Sequence, residues 1–162
     1  MDADGNRSGE GGASGRTLTL RAYVRRRNGV PLGAPGSLSN MLRRSLGAGT
    51  FAGFWRFWNP IWGYGLGRFV NAPLARVLPA SIALVLTFVV SGLLHDVAIS
   101  LVKLRVFCFF TPWFALLGSL VVATEALRLD WARSPWPVRA AANLCCVALP
   151  AFATATLGFP AP

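Results

Sequence analysis

The sequence predicts an all-α integral membrane protein: about three transmembrane helices, preceded by interfacial or re-entrant aromatic helices and a disordered basic N-terminal arm. Three observations support this. Of 162 residues, 54% are hydrophobic and only 14% charged, and the mean hydropathy is +0.50, unlike an ordinary soluble domain. Apolar residues concentrate after Pro79 and charge concentrates before it. The apolar part also falls into runs of roughly 20 residues, each long enough at about 1.5 Å per helical residue to cross a hydrocarbon core near 30 Å.

Residues 1–48 are rich in Gly, Ser and Arg, with proline breaks at Pro31 and Pro35 and cationic clusters at Arg25-Arg26-Arg27 and Arg43-Arg44. Such a composition buries little apolar surface, so most of the arm is expected to be disordered, with a brief ordered piece over 17–24. It lacks the apolar core of a signal peptide, so insertion is expected to depend on the first internal span. Met41 opens the folded unit and is an alternative initiation site, which N-terminal sequencing would settle.

The membrane domain is expected over 49–162. Phe51, Trp55, Trp58 and Trp62 recur at helical spacing, with Arg56, Arg68 and Arg76 interleaved or following. Aromatic rings mixed with guanidinium groups suit the headgroup level, so 51–78 reads as interfacial helices. Pro60 disfavours helix at Asn59 and has no N–H to donate, so the first helix stops there and a second restarts with Asn59 as its cap. Spans follow at about 79–101, 106–127 and 138–159, the last with a kink expected at Pro150. Lys and Arg are richer in the arm and the second loop than in the first turn, so the N-terminus is expected in the cytoplasm and the C-terminus outside. The plasma (cytoplasmic) membrane is the expected location.

The formal charge of +10 raises the question of nucleic acid. The arginines before position 50 have no aromatic-rich binding module beside them, and membrane lipids with anionic headgroups account for the charge, so no nucleic-acid partner is expected. Cys108, Cys145 and Cys146 form no CxxC pair, so ordinary thiols and no metal site are expected. There is no GxSxG for a nucleophilic serine. Gly63-Tyr64-Gly65-Leu66-Gly67 lacks the lysine and preceding strand of a phosphate loop.

His95, the single histidine, lies inside the first expected span. Ionisable side chains there face a protein interior or a wet cavity, and an uncharged imidazole is cheaper to bury than a carboxylate. Ser91 and Gly92, one turn before it, leave room for a neighbouring helix or a substrate. A packing histidine bonded across helices fits the same position. Asp96 points about 100° away from His95 and is expected to pair with Lys103, while Glu125 is expected near Arg128 or the headgroups, or on the cavity.

Two motifs together resemble the membrane-bound O-acyltransferase (MBOAT) family, especially its wax synthase and diacylglycerol or sterol acyltransferase branches. The first is Phe54, Trp55, Trp58 and Asn59. The second, 36 residues on from Asn59 to His95, is Ser91, Gly92, His95 and Asp96, entered through Phe88 and Val89. The resemblance covers about 50–101. It departs in Asp96, where many relatives have glutamate, and in length, since family members have eight or more spans and this chain matches only a C-terminal, histidine-bearing part. The resemblance implies acyl transfer from acyl-CoA, as co-substrate, to the hydroxyl of a lipid or long-chain alcohol, with no resident cofactor. His95 is then the general base and Asn59 the carbonyl contact. Trp55, Trp58, Ser91 and Gly92 shape the acyl path, and Arg56 and Arg68 meet the CoA phosphates. A homo-oligomer or second membrane subunit would complete a tunnel. The alternative is a non-catalytic membrane subunit or scaffold derived from such an enzyme.

Overall fold

The computed structural model describes residues 18–158, which form eight α-helices and one π-helical turn, with no strand among them. Residues 1–17 of the arm, and the end of the third expected span at Phe159, lie outside the described residues.

The arm is the first departure from expectation. Its described part folds as α1 (Leu20–Asn28), which overlaps the brief ordered piece expected over 17–24 but runs further, and α2 (Ser37–Leu46), where composition pointed to disorder. Tertiary contacts, which no composition measure registers, hold the pair. Thr19 caps α1 by accepting from Ala22 N–H, and Gly29 ends it at φ 82°. Asn28, buried, donates to the Ser37 carbonyl (3.0 Å) and hydroxyl (2.7 Å), and Arg44 donates to the Arg27 carbonyl.

The aromatic segment folds as its proline predicts. In α3 (Phe51–Phe57) the Thr50 hydroxyl accepts from Gly53 N–H at 3.0 Å, and the helix stops before Asn59. α4 (Pro60–Leu66) restarts with Pro60 in its first turn and Asn59 as cap. A π-helical turn, Gly67–Asn71, and the short α5 (Ala72–Leu74) lead to three longer helices. These are α6 (Ala80–Lys103), α7 (Phe110–Ala126) and α8 (Trp136–Thr156).

α6 and α8 are long and apolar enough to cross a membrane, with mean hydropathies of 2.2 and 1.5 in their best stretches. α7 is apolar but shorter, at 17 residues, so the structure has two helices of spanning length where three were expected. Pro150 does not end α8. The helix runs through it, and the Thr154 hydroxyl bonds the Pro150 carbonyl at 2.9 Å. Several polar side chains of the long helices lie inside while many of their large apolar side chains face outward. Thr87, Ser91, Asp96, Asn143 and Thr154 are buried, whereas Leu101, Val102, Leu149 and Phe152 are 66–81% exposed.

α6 and α7 form a tight hairpin. A Cβ on Gly92 would fall 2.5 Å from the Phe110 carbonyl oxygen, and one on Gly118 would fall 3.0 Å from Phe88. Only glycine permits this approach. Asp96 fastens it. Its carboxylate accepts from the backbone N–H of Phe109 (2.9 Å), Phe110 (2.8 Å) and Thr111 (2.7 Å) and from the Thr111 hydroxyl (2.6 Å). These amides, at the start of α7, would otherwise be orphaned. The expected Asp96–Lys103 pair is therefore replaced: the amides saturate the carboxylate, and Lys103 lies over the Phe107 ring.

α8 is tied to the arm. Buried Asn143 donates to the carbonyls of Leu46 (3.0 Å) and Ala48 (2.9 Å), Trp131 Nε1 donates to Ala48 O (3.0 Å), and Trp136 Nε1 to Arg43 O (3.3 Å). Phe51 and Phe54 pack with Leu117 and Val121 in the core between α3 and α7.

Candidate functional site

One wall of the site is the α6 face Ala83–Thr87–Ser91–His95, spaced by four so that the residues stack along the helix. The Thr87 hydroxyl bonds the Ala83 carbonyl at 2.7 Å. His95 Nδ1 lies 2.6 Å from the Ser91 carbonyl. A carbonyl only accepts, so the contact assigns the proton to Nδ1 and leaves Nε2 as the basic nitrogen. Nε2 is not among the buried atoms lacking a partner. Three aromatic rings pack around the half-buried imidazole: Trp62 edge-on at 5.7 Å, Phe110 at 5.4 Å and Phe114 at 5.2 Å.

The facing wall comes from α3 and α4. Asn59 sits at φ 37°, ψ 72°, a left-handed position that asparagine tolerates better than most residues. Its Oδ1 accepts from Trp62 N–H at 3.2 Å, leaving the Nδ2 donors available to a ligand. Trp62 then reaches across, its Nε1 donating to the Ser91 hydroxyl at 2.8 Å. Three separate contacts thus fix these side chains: Asn59 Oδ1 to the Trp62 backbone N–H, the Trp62 indole to the Ser91 hydroxyl, and His95 Nδ1 to the Ser91 backbone carbonyl.

Between the walls lies a cavity of about 510 Å³. Trp55, Arg56, Trp58, Asn59, Ser91 and His95 all line it, so six of the eight site residues named from sequence share one space. Gly92 does not line it. It is consumed by the contact with Phe110, so its assignment to the acyl path is corrected to helix packing. Arg68 lines a different cavity. Glu125 is exposed and lines the first one.

Several lining residues escaped the sequence reading. Tyr23 and Arg27 come from the arm, Tyr23 from its expected ordered piece and Arg27 from the part expected to be disordered. Thr87 and Asn71, joined by a 3.2 Å hydrogen bond, also line the cavity. Thr87 was recoverable, since it lies eight residues before His95 on the same face. Trp62 stood out only as part of an aromatic row, and nothing in its spacing signalled the bond to Ser91. Among the described residues no group of three or more His, Cys, Asp or Glu could hold a metal. The three cysteines are free thiols.

Fold and site together define an all-helical chain with two helices fit to cross a membrane and a histidine-bearing cavity between its aromatic and apolar segments. No family model, curated protein or solved structure matches it.

Proposed function

We propose that this chain is an integral membrane O-acyltransferase that moves a fatty acyl group from acyl-CoA to the hydroxyl of a lipid or long-chain alcohol. The observation that carries the proposal is that His95 and Asn59 line facing walls of one cavity, with Trp62 bridging them to Ser91. In this reading His95 Nε2 takes the proton of the acceptor hydroxyl as its oxygen attacks the thioester carbonyl. Asn59 Nδ2 donates to the oxygen on which negative charge develops. The tetrahedral adduct then expels the CoA thiolate, which takes the proton back from the imidazolium. Trp55 and Trp58 offer apolar surface to the acyl chain, and Arg56 offers charge to the CoA phosphates.

Membrane integration is part of the proposal. The exposed apolar faces of α6 and α8 support it, because their Leu, Val and Phe side chains would need cover in water. α7 makes a third crossing, at the short end of what spans a bilayer. The cationic arm then lies in the cytoplasm against the plasma membrane. A second copy or another membrane subunit would supply further walls for a closed acyl tunnel.

The test is acyl-CoA turnover by the purified chain with a panel of long-chain alcohols and diacylglycerol. The His95→Ala variant should lose about 10²–10⁴-fold in kcat while remaining in the membrane. Undiminished turnover by that variant would remove His95 from the chemistry. A wild-type chain that neither turns over nor binds acyl-CoA would point to the non-catalytic subunit or scaffold.

A further inference from the structure

The turn between α6 and α7 keeps its backbone donors inside and sends its aliphatic side chains out. Of the eight backbone N–H groups from Leu104 to Thr111, six have partners within the hairpin. Leu104 and Arg105 donate to the Ser100 carbonyl, the second at 3.2 Å, and Phe107 donates to the Ser100 hydroxyl at 2.9 Å. Phe109, Phe110 and Thr111 donate to Asp96. A turn in water does not need this provision, because water satisfies exposed amides. In hydrocarbon every backbone polar group has to be satisfied from within the protein.

The side chains point the same way. Leu101, Val102, Leu104 and Val106 are 71–95% exposed, while Phe107 and Phe109 are buried beneath them. Lys103 and Arg105 alternate with the aliphatic residues and are also exposed. Leu104 holds φ 50°, a left-handed conformation that glycine or asparagine would adopt at less cost. A leucine kept there with its side chain outward recovers nothing from the protein's own core. The loop at the other end of α7 is the contrast, with Arg128, Asp130 and Arg133 exposed.

We propose that the α6–α7 turn is a membrane-inserted tip. Leu101, Val102, Leu104 and Val106 sit among acyl chains just below the headgroups, and Lys103 and Arg105 reach up to anionic headgroups. Alternating aliphatic and cationic side chains fit that boundary, where apolar groups go down and long cations snorkel out. The proposal rests on the membrane reading above but not on acyl transfer.

The experiment uses the full chain in phosphatidylcholine–phosphatidylglycerol vesicles, with Cys108→Ser, Cys145→Ser and Cys146→Ala as background. A nitroxide is attached in turn at Leu104→Cys, Val106→Cys, Phe152→Cys and Arg133→Cys, and circular dichroism confirms that each chain is helical. Val106, which is not at positive φ, keeps the test standing if the Leu104 variant misfolds. Access to oxygen, which partitions into lipid, is measured against access to a water-soluble nickel chelate. The oxygen-to-nickel ratio at 104 and 106 should match that at 152 and exceed that at 133 by about threefold or more. Ratios at 104 and 106 equal to that at 133, with 152 lipid-accessible, would overturn the tip and leave membrane integration standing. Water access at 152 as well would overturn both. Low access to both reagents at 104 and 106, with dipolar broadening between labels, would mean that a second copy covers the turn and would overturn the lipid placement.

Discussion

The two walls of the His95 cavity are built on opposite principles. The α6–α7 wall consists of long helices in glycine-backed contact, pinned by four hydrogen bonds to one buried carboxylate. The α3–α4 wall consists of two seven-residue helices, a left-handed asparagine, open glycines and a π-helical turn. The imidazole therefore rests on a wall with one packing solution, while Asn59 rests on a wall that can adjust. Such a pairing suits a site that must keep a base aligned while admitting a bulky amphiphile.

The contrast can be broken at Asp96 first. Asp96→Ala strands three amides and a hydroxyl away from water and should cost about 3 kcal/mol or more, read as a fall in thermal midpoint in detergent. A loss no larger than that of a surface substitution would mean that the α6–α7 wall is not pinned there. The glycines give the next largest difference. Gly92→Ala should destabilise by about 1–3 kcal/mol because its Cβ meets backbone. Gly63→Ala, with nothing nearby and a helix around it, should stabilise by about 0.5–1 kcal/mol. The same sign for both would erase the distinction between the walls.

Asn59 sharpens the comparison. Asn59→Ala loses both the cap and a tolerant residue at positive φ, at about 1–2 kcal/mol, whereas Asn59→Gly should cost a few tenths. Both remove the amide, so turnover should fall by about 10²-fold in each if Asn59 contacts the reacting carbonyl. Activity that follows stability would assign Asn59 to capping alone. Ser91→Ala leaves Trp62 Nε1 without its partner at about 1 kcal/mol and unties Trp62 from α6, visible as a change in Trp62 fluorescence.

What the sequence made legible was local. The break at Asn59-Pro60 follows from proline geometry, and the long apolar helices follow from composition. The shared cavity was expected from two motifs whose residues each have helical or capping positions readable nearby. What escaped was contact at a distance. Asp96 finds its donors 13 to 15 residues away, Gly92 meets a helix that comes later in the chain, and α1 and α2 are held by Asn28 and Arg44 reaching across a turn. Hydropathy counts apolar residues and is blind to such pairings, so the polar arm read as disorder.

Asn143 has a bearing on how the molecule is made. It grips carbonyls 95 and 97 residues earlier in the chain, and the other side-chain donor to Ala48 O, Trp131, comes only five residues before α8. The α2–α3 junction therefore waits for these partners until the loop before α8 and α8 itself leave the ribosome. At ordinary synthesis rates that wait is on the order of ten seconds. During it the nascent first half, with its tryptophans and arginines, has to be sheltered by the insertion machinery or the bilayer surface. A stop codon before α8 would release a chain whose opening segments were never sealed.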